Sequence, residues 1–149
     1  MVSPLRYKLE VVVLPVSDVD RAKAFYVDQV GFNLDVDHVN GEFRVVQMTP
    51  NGSACSVTIG KGVIEAPPGS VKGLQMVVAD IEAARADLAS RGVDVSPVRH
   101  HDGTGWADGP GGEWNSFVFF DDPDGNAWTV QEAPTMRETD TGADEAAQG

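Results

Sequence analysis

Cysteine is almost missing from this chain: Cys55 stands alone among 149 residues. A single thiol closes no intrachain disulfide and builds no cysteine cluster for zinc or iron–sulfur. Basic residues are also scarce, eleven Lys and Arg against twenty-three Asp and Glu, a net charge of −12. Binding to nucleic acid or to an anionic membrane needs a basic surface, so neither is an expected partner. No apolar run approaches the roughly 18 residues of a membrane helix. The segment MVSPLRYKLE lacks the apolar stretch of a secretory signal, so a cytoplasmic protein is expected. No serine sits in a GxSxG elbow, and GKGVIEAPPG lacks P-loop spacing. What is present is an apolar fraction of 42%, enough for a core in one domain or two small fused modules.

The chain repeats itself. After the apolar run LEVVVLPV comes SDVDRAKAFYVDQVGF, with Val19, Ala22, Phe25 and Tyr26 at helical spacing and Gly31 as a stop. Ser17 is the expected N-cap, with Asp18 and Asp20 suited to the positive end of the helix. The phrase returns 62 residues later in ADIEAARADLASRGVDV, where Gly92 answers Gly31. A second pair, TPNGSACSVT and DPDGNAWTVQ, recurs at an offset of 73. The larger offset leaves about eleven extra residues in the second copy, which fall in RHHDGTGWADGPGGEWN, 99–115. Such a repeat predicts two β-α-β-β-β modules, residues 7–60 and 71–132, joined by the turn-rich APPGS at 66–70. Strands are expected near 7–14, 32–38, 42–48 and 54–59, then near 72–78, 93–98, 116–120 and 127–132. Helices are expected near 18–29 and 81–90, and the acidic segment 133–149 is expected to be disordered.

The paired acids of DPDG invite a calcium-loop reading, which fails on counting. An EF-hand needs Gly at its sixth position and Glu at its twelfth. From Asp122 those positions are Ala127 and Ala133. The segment reads as a turn into the last strand.

Two motifs carry a family resemblance: VxDxxxAxxFYxxxxGF from Val16 to Phe32, and FxDPDGNxxxxxE from Phe120 to Glu132. With them the chain resembles the glyoxalase, bleomycin-resistance and extradiol-dioxygenase superfamily, the vicinal oxygen chelate proteins, from about Leu9 to Glu132. The resemblance implies an α+β fold in which two βαβββ modules form a cupped mixed sheet around a cavity. It also implies a homodimer, with cavities shared between subunits in some members. Metal-dependent members carry four inward ligands, usually His or Glu. Carried over by motif, those positions are Val11, Ser56, Gly73 and Thr129. None offers carboxylate or imidazole, so no metal and no cofactor is expected. Glu10 and Glu132 stand near two of these positions but fall on the opposite face by strand alternation.

The same alternation adds Thr58, Gln75 and Gln131 to the inward set. Val11, Ser56, Thr58, Gly73, Gln75, Thr129 and Gln131 describe a pocket that orients a ligand by neutral hydrogen bonds, or a narrow wet interior filled by small polar groups. Trp106 and Trp114, in the inserted stretch, either stack on a planar ligand or anchor their loop. Trp128 and Cys55 alternate away from the cavity. His100, His101 and Asp102 offer a nonfamily metal site, a general acid or base in His101, or ordinary loop residues. The leading expectation is metal-independent binding of a small, aromatic or amphipathic molecule, as in the drug-sequestering branch of the family. The alternative is a lyase, isomerase or dioxygenase of the same superfamily, and a third is a regulatory partner protein.

Overall fold

The computed structural model describes residues 5–136. Among the described residues, nine strands form two sheets. The first holds β1 (Val11–Val13), β2 (Asn33–Asn40), β3 (Phe43–Thr49) and β4 (Ser56–Lys61), in the order β1-β4-β3-β2. The second holds β5 (Leu74–Val78), β6 (Arg99–His101), β7 (Trp106–Asp108), β8 (Phe117–Asp121) and β9 (Ala127–Glu132), in the order β5-β9-β8-β6-β7. Each sheet opens with a parallel pair, β1 with β4 and β5 with β9, and continues antiparallel. This is the α+β architecture expected from the repeat.

The repeated acids cap the helices. Asp18 accepts from the Arg21 N–H at 3.0 Å and opens α1 (Val19–Ala24), while Asp80 accepts from Ala83 at 3.1 Å and opens α2 (Ile81–Ser90). Asp18, not Ser17, is therefore the cap. The Ser17 hydroxyl donates instead to Asp124 at 2.6 Å, across to the DPDG turn. After Ala24 the helix widens through Phe25–Val30, where the Gly31 N–H reaches back five residues to the Tyr26 carbonyl at 3.0 Å. Gly31 ends it at φ +92°, a conformation that favours glycine.

Both helical segments cover the same side of their sheets. Leu14, Val46, Met48, Val57 and Ile59 are buried with Ala22 and Tyr26, and Val118, Phe120, Trp128 and Val130 with Ile81 and Leu88. Tyr26 joins the halves. Its ring lies 5.9 Å from that of Trp128 and 5.5 Å from that of Phe32. Its hydroxyl donates to Asp122 at 2.7 Å and accepts from the Trp128 indole N–H at 2.9 Å. Burial, reinforced by the Asp122 charge, raises the Tyr26 hydroxyl pKa far above its ordinary value. Asp122 also accepts from the backbone N–H of Asn126 and of Asp124, so the first acid of DPDG is a buried structural hub.

The second module departs from the expected strand at 93–98. Val93, Val95 and Val98 are buried there, but no strand forms. Ser96 alone bonds β8, donating its N–H to the Phe119 carbonyl and accepting the Phe119 N–H on its hydroxyl. Pro97 has no N–H with which to continue the ladder. The strand pairing begins two residues later, inside the inserted stretch, where β6 and β7 form a hairpin. The first strand is likewise shorter than expected, and residues 5–10 run exposed ahead of it. Of the segment 133–149, Ala133 is buried with its N–H on the Val78 carbonyl, and residues 137–149 lie outside the description.

Candidate functional site: two open sheet faces

Strand register fixes which side chains share the faces turned away from the helices. In the first sheet, Val11 pairs with Ser56, Val13 with Thr58, and Gln47 with Thr58. Val11, Val13, Gln47 and Thr49 therefore share one face with Ser56 and Thr58. In the second sheet, Gln75 pairs with Thr129, Thr129 with Phe119, Gln131 with Phe117, and Phe117 with Arg99. His101 pairs with Trp106 one step further along the same face.

The second face carries an aromatic cluster. Trp106 stands edge-on to Phe117 at 5.2 Å, to Phe119 at 5.1 Å and to His101 at 5.5 Å. Phe117 and Phe119 are nearly parallel, 9° between planes. Trp106 remains 50% exposed, so the cluster presents ring faces and edges to the outside rather than filling the core. Beside it, Gln75 donates to Gln131 at 2.8 Å, and Gln131 donates to the Trp114 carbonyl at 2.8 Å. The backbone at Trp114, held at φ +64°, is thus tied to the sheet while its ring stays 45% exposed. Arg99 lies on this face with its Nε buried and without a hydrogen-bond partner, in a long ion pair with Asp108 at 4.0 Å.

Among the expected positions, Val11, Ser56 and Thr58 meet on the first face, and Gln75, Thr129, Gln131 and Trp106 on the second. Gly73 precedes β5 at φ +84°, with open space where a Cβ would stand. A cleft of about 470 Å³ runs beside β5; its wall includes Gln75, Val77, Phe32 and Pro50. Of the expected positions, it takes in Gln75 alone. Phe117 and Phe119 were not legible as site residues, because SFVFFDD is apolar on both parities. Only the register against Thr129 separates them from the core residues Val118 and Phe120.

The histidines do not converge. His100 donates from Nδ1 to the Gly109 carbonyl at 2.9 Å, whereas His101 accepts the Gly103 N–H on Nδ1 at 3.1 Å. As neighbours on β6 they point to opposite faces and cannot close on one ion. Asp102 caps the turn beside them; hydrogen bonds from Thr104, first its hydroxyl, hold its carboxyl down to about 2. Glu132 is engaged elsewhere, accepting the Ile81 N–H at the start of α2 at 2.9 Å. Among the described residues, no three His, Cys, Asp or Glu side chains group as a metal site. The four positions that the resemblance singles out, Val11, Ser56, Gly73 and Thr129, offer two hydroxyls, a valine and a glycine, donors that do not fit a divalent cation.

A βαβββ module and a second module with one strand more, each with a sheet face turned away from its helix, define an α+β fold of two sheets. The chain belongs to the Glyoxalase/Bleomycin resistance protein/Dioxygenase superfamily, whose profile matches residues 8–130. It is similar to the crystal structure of TnmS3, an antibiotic binding protein from Streptomyces sp. CB03234, with 33% identity and a TM-score of 0.69 over 86% of this chain and 97% of that one. A glyoxalase/bleomycin resistance protein from the same Streptomyces strain gives 34% identity and a TM-score of 0.66, over 83% and 99%. A superfamily member from Sphaerobacter thermophilus DSM 20745 gives 27% and 0.67, over 85% and 98%. The comparison with curated proteins gives no match. Among the described residues, no helix is long and apolar enough to cross a membrane.

Proposed function

We propose that this protein binds a planar aromatic or amphipathic small molecule, without a metal, against the aromatic face of its second sheet. The observation that carries this reading is the exposed cluster of Trp106, Phe117, Phe119 and His101, set beside Gln75, Thr129 and Gln131. Rings of this kind hold a flat ligand by stacking and edge contacts, and neutral polar groups fix its orientation. The antibiotic-binding relative at 33% identity supports the same direction. An enzymatic role of the metal-dependent kind lacks support from the donor set.

The reading includes a homodimer. Strands β1 and β5 are each the outer strand of a sheet, and Leu5, Tyr7 and Leu9 are 66%, 87% and 70% exposed just before β1. A second copy laid along these edges covers that apolar surface and closes the open faces into a cavity.

The test follows tryptophan fluorescence while a panel of planar aromatic compounds is titrated into the protein and into Phe119→Ala. Saturable quenching, weakened about tenfold by the variant, is the expected outcome. Quenching that the variant leaves unchanged places the ligand elsewhere, and no saturable quenching overturns the reading.

A further inference from the structure

The open face of the first sheet holds a hydrogen-bond chain whose direction is fixed. A one-residue irregularity in β2 between Leu34 and Val36 brings Asp35 within reach of β3. Asp35 accepts the Thr49 hydroxyl, and on its other oxygen the Asn33 amide at 2.8 Å. Thr49 and Ser56 lie 2.7 Å apart, oxygen to oxygen. The Gln47 amide nitrogen lies 3.4 Å from the Ser56 hydroxyl.

A carboxylate only accepts, and each hydroxyl has one proton. Thr49 spends its proton on Asp35, so the proton between Thr49 and Ser56 must come from Ser56. Ser56 then has none to give Gln47, which must therefore present its N–H. The chain runs Gln47 to Ser56 to Thr49 to Asp35, each hydroxyl donating toward the carboxylate. At Ser56 what remains for a ligand is an acceptor, one lone pair on Oγ, while Gln47 beside it keeps its carbonyl oxygen and its second amide N–H. Ser56 is 7% exposed, Gln47 and Thr49 are half-buried, and Asp35 lies at the surface, so the chain runs from the sheet interior to the rim.

We infer that this chain is the donor-reading pole of the binding site, selecting ligands that bring a neutral hydroxyl or an N–H group to Ser56. The inference rests on the small-molecule reading above, including the dimer that closes both open faces around one cavity, and narrows the ligand to hydroxy- or amino-substituted aromatics. Aryl ethers and carboxylates are disfavoured at Ser56, where they meet acceptor against acceptor. The discrimination arises from the oriented chain, so it reaches the ligand from Asp35 through two hydroxyls.

The test is calorimetric titration of the full chain with 1-naphthol and with 1-methoxynaphthalene, which share a ring system and differ in the donor. The wild type should prefer the naphthol by about tenfold or more. Thr49→Val frees the Ser56 proton to turn toward the ligand, and the preference should fall to about twofold or less. Asp35→Asn, at an exposed position, should narrow the preference too, and serves if the valine variant does not fold. Equal affinity of the wild type for both probes, or a preference that survives the variants, overturns the donor-reading pole alone. No saturable binding of either probe overturns the binding reading beneath it, and the pole with it.

Discussion

Tyr26 and Asp122 show how a residue's environment decides its role. Two close acids and a glycine resemble a metal loop, yet Asp122 spends its acceptors on Tyr26, Asn126 and the turn backbone. Tyr26→Phe removes the hydroxyl that satisfies both Asp122 and the Trp128 indole. It should cost about 1–3 kcal/mol in urea unfolding, without change in the slope; an unchanged midpoint would contradict the hub. Asp37 gives a pH prediction. Hydrogen bonds from Arg44, then Lys23, hold its carboxyl down to about 2. Its pKa is lower folded than unfolded, so its contribution is present above about pH 4 and lost as pH falls toward 2. Thermal melts from pH 5 to pH 2 should show wild type losing more stability than Asp37→Asn, by less than about 1 kcal/mol because the pair is near the surface; parallel curves would remove the claim.

At the scale of elements, the sequence revealed what repeats and hid what does not. Both helices follow from the recurring Asp-x-acid phrase, and the last strand from DPDG. The cap shifted from Ser17 to Asp18 because Ser17 has a long-range partner, Asp124, invisible to local spacing. The strand expected at 93–98 failed because alternating valines describe a buried segment as well as a strand, and Pro97 interrupts the ladder. The hairpin of β6 and β7 was hidden in a glycine-rich stretch whose register is set by Asn115, which bonds both the N–H and the carbonyl of His101. The linker at 66–70 is more than a spacer. Gly69 takes φ +78° and donates its N–H to the Pro15 carbonyl, and a Cβ there would lie 2.0 Å from the Asp124 carbonyl oxygen. Gly69→Ala should therefore destabilise the fold by about 2 kcal/mol or more, read as a lowered melting temperature; a neutral substitution would mean the linker moves freely from the turn.

For the whole molecule, the two sheets are joined through their helix-covered sides, by Tyr26 with Trp128 and by Ser17 with Asp124, while their other faces stay open. The resemblance placed Ser56 and Thr129 and alternation added Thr58 and Gln131, and in the register Ser56 shares a face with Thr58 and Thr129 with Gln131. Alternation gave no warning that they occupy separate sheets, because parity carries no information on how sheets are placed. Val77 is 40% exposed on the outer strand β5, the edge along which the proposed dimer lays its second copy. Sedimentation should find a dimer for the wild type and a monomer for Val77→Lys; a monomeric wild type would contradict the shared cavity. The central claim is aromatic binding without a metal. It is tested most directly by titrating 1-naphthol into the protein before and after exhaustive dialysis against EDTA. The account predicts saturable binding of unchanged affinity in both samples. Binding that vanishes on chelation and returns with a divalent cation would contradict it.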